Sequence, residues 1–179
     1  MSFLELAKKR FSVRKFETKK VENEKLLQIL EAGRIAPTAA NHQPQRIIVV
    51  REEAGLGKLK KAANIYEAPL AVIVCGDHQS AWKRPFDGKG MVDIDTSIVT
   101  DHMMMEATEL GIGSVWITYF KPDILRKEFN IPEDIEPVNI LALGYSAGPS
   151  ASPDRHDKAR KPLKETVFYE SFQNVIKNI

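Results

Sequence analysis

The run Ala71-Val72-Ile73-Val74-Cys75 is apolar at every position and rich in β-branched side chains. A strand with one wet face alternates apolar and polar residues. An unbroken apolar strand hides both faces, so the sheet that holds this one must be covered on each side. Three further runs suit the same sheet: Arg46 to Val50, Ser114 to Ile117, and Val138 to Leu143. The covering material lies between them as helices. Ser2 caps a first helix carrying Phe3, Leu6 and Ala7 on one side. Asn23 caps a second, Asn23 to Ile35, with Leu26, Leu27 and Leu30 on one face and Gly33 weakening its last turn. A short basic helix is expected over Leu56 to Ala63, and Pro122 opens another through Phe129. At 179 residues and 43% hydrophobic the chain has material for one well-buried core, so a single domain over 1–179 is expected.

The longest periodic segment, Met91 to Leu110, spreads Ile94, Ile98, Val99, Met103, Met105, Ala107 and Leu110 over more than one face. A helix apolar over so wide an arc is either wrapped by its own domain or shared with a second subunit, and the methionine run Met103 to Met105 suits an adaptable interface. Asp93 and Asp95 fall in its first turns, where the helix dipole favours carboxylates. The glycines of Leu110-Gly111-Ile112-Gly113 follow a helix and precede a strand. A dinucleotide fingerprint needs the reverse order, so Gly111 reads as a helix C-cap.

A net charge of +2 gives no global field for nucleic acid or an anionic membrane, so any anion is recognised locally. The single cysteine, Cys75, lies inside the apolar run and supports neither a disulfide framework nor a thiolate metal site. The N-terminal residues carry charge early, and no run approaches a membrane span. The expectation is therefore a cytoplasmic protein with no nucleic-acid or membrane partner. His102 and Glu106 stand four apart on the long helix, and His78, Asp77, Asp93 and Asp95 are further ligand types. No second histidine completes a zinc-helix spacing, so no metal site is expected.

The chemistry falls to the stretches without a period. Arg10-Phe11-Ser12-Val13-Arg14-Lys15-Phe16 sets two guanidiniums around one hydroxyl just past a helix end. Guanidiniums grip phosphate oxygens through paired, charge-assisted hydrogen bonds, so this outlines an anion cradle anchored by Phe11 and Phe16. Taken alone, the more ordinary reading of the same residues is a solvated basic loop on the carbonyl end of a helix dipole. The stretch Ala36-Pro37-Thr38-Ala39-Ala40-Asn41-His42-Gln43-Pro44-Gln45 has small residues that admit a flat ligand, and Asn41 and Gln43 offer donor and acceptor to a ring edge. An ordinary Asn-capped turn fits it as well. Asp77 to Gly90, with Trp82, Pro85 and Phe86, reads as a mobile excursion able to act as a lid. Ser146 to Pro162 is proline-rich and charged, ending in Lys158-Ala159-Arg160-Lys161-Pro162. Beyond it the C-terminal tail, 163–179, carries Leu163, Val167, Phe168, Phe172, Val175 and Ile176, an amphipathic stretch expected to pack on its own subunit or a neighbour's.

Taken in order, these features resemble the FMN-dependent nitroreductase family over nearly the whole chain, from Phe3 to about Pro162. Arg10-x-Ser12-x-Arg14-x-Phe16 looks like that family's opening phosphate motif, and Pro37-Thr38-Ala39-x-Asn41-x-Gln43-Pro44 like its flavin-ring loop. Gly111-x-Gly113-x-x-Trp116-Ile117 and Lys158-x-Arg160 complete the set. The resemblance implies an α+β sheet-and-helix sandwich with a long central helix, completed by homodimerisation, with FMN in each of two sites at the subunit interface. By the family pattern Arg10, Ser12, Lys158 and Arg160 would hold the FMN phosphate, and Arg14 would lie near the phosphate or the pyrimidine edge of the ring. Pro37, Thr38, Ala39, Asn41 and Gln43 form the ring loop, of which Thr38, Ala39 and Asn41 would come from the partner subunit. Backbone groups around Trp116, Ile117 and Thr118 would face the other ring edge.

The activity implied is that of a flavin-dependent oxidoreductase. NAD(P)H would deliver hydride to FMN, leave, and be replaced at the same face by a small electrophilic acceptor of nitroaromatic or quinone type, in a ping-pong scheme that requires no catalytic side chain. Arg14 near the pyrimidine edge would stabilise charge on reduced flavin. A non-catalytic FMN-binding or sensing protein would share every cofactor contact and differ in lacking an open substrate face. Gln45 stands where an aromatic commonly follows the Gln-Pro pair, and Thr118-Tyr119 where smaller residues are frequent. Both departures bear on the substrate pocket, for which Trp82, Phe86 and Tyr119 are the candidate contacts.

Overall fold

The computed structural model of the chain describes residues 1–174. Its 4-stranded sheet has the order β1-β2-β4-β3, with every neighbouring pair antiparallel. β1 spans Gln45–Val50, β2 Leu70–Asp77, β3 Gly113–Ile117 and β4 Ile135–Gly144. β2 is central and buried from Leu70 to Gly76, as its unbroken apolar run requires. The two-residue period sorts its side chains. Leu70, Val72 and Val74 join Leu26 and Ile29 of α2 (Asn23–Ile35) and Val99 and Met103 of α4 (Val92–Glu109). Ala71, Ile73 and Cys75 join Leu59 and Ala62 of α3 (Glu53–Ala62) and Leu125 of α5 (Pro122–Phe129). This is the α+β sheet-and-helix sandwich expected. Burial pushes the Cys75 thiol up to about 11, against a smaller pull from Arg126, so it behaves as a core hydrophobe.

The long helix α4 buries Val92, Asp95, Thr96, Val99, Thr100, Met103, Met104, Ala107 and Thr108. Its buried threonines turn back on their own helix: Thr96 donates to Val92 O at 2.7 Å, Thr100 to Thr96 O at 2.8 Å and Thr108 to Met104 O at 2.9 Å. At its end the Ile112 N–H reaches Ala107 O at 2.7 Å and the Gly111 N–H reaches Thr108 O at 3.2 Å, with Gly111 at φ 73. That pair of bonds is a Schellman cap, and the left-handed φ explains the glycine. The Tyr145 hydroxyl, just past β4, donates to Glu22 at 2.6 Å and accepts from Lys25 at 3.0 Å, while Lys25 also donates to Leu110 O at 3.2 Å. The Tyr145 bond is the main reason the Glu22 carboxyl is pushed down to about 2.

Several details differ from the sequence expectation. Leu27 is 65% exposed; the buried line of α2 is Leu26, Ile29 and Gly33, from which Leu27 is turned by one residue. Glu22 rather than Asn23 is the N-cap, without a side-chain cap bond, and Asn23 instead accepts from Arg51. Helix α3 begins at Glu53, before Leu56, and β4 begins at Ile135, before Val138. Gly33 lies at the close crossing of α2 and α4, where an added Cβ would fall 2.8 Å from Met103 Cγ. The tail does not settle on the core: Leu163, Tyr169 and Phe172 are exposed, and Phe168 meets Phe172 with ring centroids 5.0 Å apart. Val175 and Ile176 lie outside the described residues. Among those residues no helix is long and apolar enough to cross a membrane.

Gly33 and Gly57 are a matched pair, since both are helical and nothing lies within 4 Å of a Cβ built on Gly57. Gly57→Ala is expected to stabilise the protein by about 0.5–1 kcal/mol through helix propensity. Gly33→Ala gains the same propensity but must displace the buried Met103, and roughly 1–3 kcal/mol of overpacking makes it a net loss. Urea denaturation at equal protein concentration separates them, and a stabilised Gly33→Ala would show that the crossing is loose.

Candidate functional site

The loop from Arg10 to Phe16 follows α1 (Phe3–Lys9), whose Ser2 and Glu5 close a capping box, and is stitched across the end of the sheet. The Val13 N–H donates to Ser114 O at 2.9 Å, the Glu17 N–H to Tyr145 O at 2.8 Å and the Ala147 N–H to Lys15 O at 3.0 Å. Val13 and Phe16 are buried under it and Phe11 packs on the same cluster, so the aromatics do anchor the loop. It can lie this close because position 113 is glycine: a Cβ there would fall 2.7 Å from Val13 Cγ2.

A second segment, from far along the chain, is pinned to this loop. Arg155, in α6 (Arg155–Ala159), donates to Arg10 O, to Lys8 O at 3.2 Å and to Ser152 O at 2.8 Å. The Arg10 guanidinium is lowered from its ordinary value, first by burial, then by Arg155 and Arg160, with Asp101 opposing. Guanidiniums repel one another in a partly desolvated corner. Among the described residues none of Arg10, Arg14, Arg155, Lys158 and Arg160 forms an ion pair with a carboxylate. The cluster is thus a concentration of positive charge that no side chain within it neutralises by an ion pair. Beside it, a cavity of about 120 Å³ is lined by Arg10, Phe11, Thr108, Gly113 and Ser114, and the buried Ser114 Oγ has no hydrogen-bond partner.

The structure therefore brings Arg10 and Arg160 together, with half-buried Ser12 bridged to Ser114 in the same loop. Lys158 stays exposed on α6, and the exposed Arg14 guanidinium sits 5.9 Å from the Tyr66 ring centroid, in cation–π range. Sequence reasoning missed Arg155, because it works through backbone carbonyls that no side-chain motif records.

The outer strand β3 supplies a ready edge. Since Ser114 O accepts from Val13, the polar backbone groups of Ser114 point away from β4, and the two-residue period turns those of Trp116 the same way. The Trp116 side chain packs on the layer of α2 and α4, Ile117 is buried, and exposed Thr118 and Tyr119 follow.

The loop from Pro37 to Gln43 is held in an unusual backbone, with Ala40 at φ 48, Asn41 at φ 58 and Gln43 at φ 51. Non-glycine residues there cost of order 1–3 kcal/mol each, so the surroundings must hold them. The chief clamp is Asp95, 1% exposed, whose Oδ1 accepts the Ala39 N–H at 2.8 Å while Oδ2 has no partner. The Gln43 N–H donates to Thr38 Oγ1 at 3.0 Å, and the Gln43 amide to Asn41 O at 3.2 Å. Asp95 had been legible only as a dipole-compatible acid. Its partner is distant in sequence.

The segment 77–90, expected as an excursion able to act as a lid, is folded as a set of closed turns. Asp77 pairs with Arg46 at 2.9 Å and accepts the N–H groups of Gln79 and Ser80, Lys83 bridges Gly90, and Arg84 pairs with Asp87. His42 Nδ1 lies 2.9 Å from Ser80 O, which joins these turns to the loop above. Trp82 is half-buried, whereas Phe86 is 95% exposed.

A covered antiparallel sheet carries a cationic corner at its edge, and comparison with known proteins gives the class. The model of the Nitroreductase family matches residues 7–64 and 56–145. The chain belongs to the nitroreductase family and is an oxidoreductase. A protein of Methanothermobacter thermautotrophicus, provisionally named NADH dehydrogenase/NAD(P)H nitroreductase, is 33% identical over 92% of this chain and 88% of its own. The crystal structure of a nitroreductase family protein from Clostridium difficile 630 is 59% identical with a TM-score of 0.94, covering 96% of this chain and 100% of that one. An FMN-dependent nitroreductase from Clostridium difficile R20291 is 26% identical with a TM-score of 0.77, covering 93% of this chain and 98% of that one.

Asp95→Ala should free the clamped loop. Amide hydrogen exchange at Ala39 is expected to quicken by roughly tenfold or more, the loss of one charge-assisted bond, with β2 unaffected. Unchanged exchange at Ala39 would show that Asp95 does not hold it.

Proposed function

We propose that the chain binds FMN at this corner, between two copies of itself, and passes hydride from NAD(P)H to a small electrophilic acceptor of nitroaromatic or quinone type by a ping-pong scheme. The observation that carries the reading is the group of Arg10, Arg155 and Arg160, drawn from opposite ends of the chain and, among the described residues, in no ion pair, with Asp101 only partly offsetting their charge. A terminal phosphate monoester, with nearly two negative charges and oxygens for several donors, answers that arrangement. The unpartnered Ser114 hydroxyl beside Arg10 supports it.

When bound, FMN supplies the acceptance and donation of hydride. Arg10, Ser12 and Arg160 hold the phosphate, and Lys158 adds attraction from the rim. Arg155 acts one step back by fixing α6 to the loop. The edge groups of Trp116, with Ile117 and Thr118, would hold the ring, and Arg14, within cation–π range of Tyr66, would supply positive charge to stabilise the reduced cofactor. Trp82, Phe86 and Tyr119 border the space for the acceptor.

A second copy is needed for the loop of Pro37, Thr38, Ala39, Asn41 and Gln43 to cover the ring. In one chain that loop is fixed at Asp95 while Arg10 lines a cavity with Thr108, and about 20 Å of α4 separates those two positions. The surface such a copy would cover is apolar: Leu27 and Ile35 on α2, Ile94 on α4 and Phe3 on α1 are all exposed. These same features favour an enzyme that is complete only as a homodimer.

Titration with FMN and with riboflavin tests the phosphate assignment. FMN should bind roughly a hundredfold more tightly, and Arg10→Ala should lose most of that difference. Equal affinities in the wild type would overturn it. With FMN saturating, Arg14→Ala should slow reduction by NAD(P)H roughly tenfold in stopped-flow absorbance. A wild-type rate would remove the electrostatic role, and FMN-loaded protein that oxidises neither NADH nor NADPH with menadione or a nitrofuran would be a binding protein rather than an enzyme.

A further inference from the structure

We propose that a lysine-rimmed cleft beside Tyr119 takes the 2′-phosphorylated adenosine end of the reductant, making the enzyme selective for NADPH over NADH. This rests on the flavoenzyme reading above. The cleft, of about 320 Å³, lies between the end of α3 and the turn into α5 and is lined by Lys60, Lys61, Asn64, Tyr119, Phe120 and Lys121. It begins one residue after Thr118, at the proposed ring edge, so a dinucleotide whose nicotinamide reaches the flavin can run its other end along this wall.

Its walls are fixed. The Lys121 N–H donates to Ala62 O at 3.0 Å, the Asn64 Oδ1 accepts the Tyr66 N–H at 2.9 Å, and Leu59 and Leu125 are fully buried where α3 meets α5. The Asn64 amide keeps its donor half for a ligand. Lys60 and Lys61 have reasons to be where they are, in the last turn of α3 and paired with Glu67 and Glu128. Lys121 has none of these. It is the N-cap residue of α5, the positive end of that helix, and no side chain caps the free N–H groups there. Among the described residues it forms no ion pair, and Asp123 in the first turn offsets only part of the field. A cation at the wrong end of a helix, beside two more lysines, is a position that folding does not favour and a phosphate dianion does. Tyr119, 94% exposed, offers a ring face on which adenine can stack.

Steady-state kinetics of the flavin-loaded enzyme with menadione test this. The wild type should favour NADPH over NADH in kcat/KM by roughly tenfold at low ionic strength, and the preference should shrink as salt rises. In Lys121→Ala the ratio should fall by roughly tenfold, chiefly through KM for NADPH, whereas Lys121→Arg should keep it. Lys127→Ala, an exposed lysine outside the cleft, should leave the ratio as it is. Calorimetric binding of 2′,5′-ADP against 5′-AMP needs no turnover and so tests the cleft even if the flavin reading fails. The wild type should bind 2′,5′-ADP the more tightly, and Lys121→Ala should bind the two alike. Equal use of NADH and NADPH by the wild type, an unchanged ratio in Lys121→Ala, or no discrimination between the two nucleotides overturns the proposal.

Discussion

The double burial of β2 is the constraint from which the rest of the molecule follows. With Leu70, Val72 and Val74 on one side and Ala71, Ile73 and Cys75 on the other, no face of the sheet's centre can meet water, and two helical layers are obligatory. The α2 and α4 pair answers one side and α3 with α5 the other. What remains open is the perimeter: the outer edges of β1 and β3, the two ends of α4, and the cleft where the end of α3 meets the turn into α5. Every functional element described above lies on that perimeter. The polar work is done where the sheet's ladder ends, because backbone groups there are not paired within the sheet.

The perimeter carries costs that the core must sustain. Three guanidiniums share a corner with no ion pair among the described residues, and three non-glycine residues of one loop take left-handed backbone. Neither would persist on a free chain, where charge repulsion and torsional preference would disperse them. Each is held by a group from elsewhere in the sequence: Arg155 on the carbonyls of Arg10 and Lys8, and Asp95 on the Ala39 N–H. The tension is local and the restraint long-range, which is how a site stays shaped before its ligand arrives.

The same division explains what the sequence revealed. The apolar run of β2, the helix opened by Pro122, the Gly111 cap and the Arg10 to Phe16 motif are written in neighbouring residues, and each was legible to within a residue or two. Leu27 was misplaced because the stripe that α2 buries is centred on Leu26, Ile29 and Gly33, and the roughly 100° step to Leu27 carries it outward. The 77–90 turns were hidden because their order comes from ion pairs and backbone bridges within a polar stretch, which composition alone describes as mobile. Arg155, Asp95 and Lys121 were illegible for a common reason. Their meaning depends on what is, or is not, beside them in space.

Helix α4 joins these points into one mechanical argument. It carries the loop clamp at Asp95 near its start and borders the cation corner at Thr108 near its end, while exposed Ile94 lies on the outward side of the same helix. Under the proposed assembly, a second copy that covers that outward face also delivers its own clamped loop to the first copy's cation corner. Holding the phosphate and holding the partner then become one equilibrium. FMN that binds only the paired chains, at two equal sites, stabilises the pair by 2RT ln(1 + [FMN]/Kd), so cofactor affinity and subunit affinity cannot be tuned separately. A fold whose cation corner forms no ion pair among the described residues and whose central helix exposes Ile94 would, under that assembly, have both deficits met in a single step.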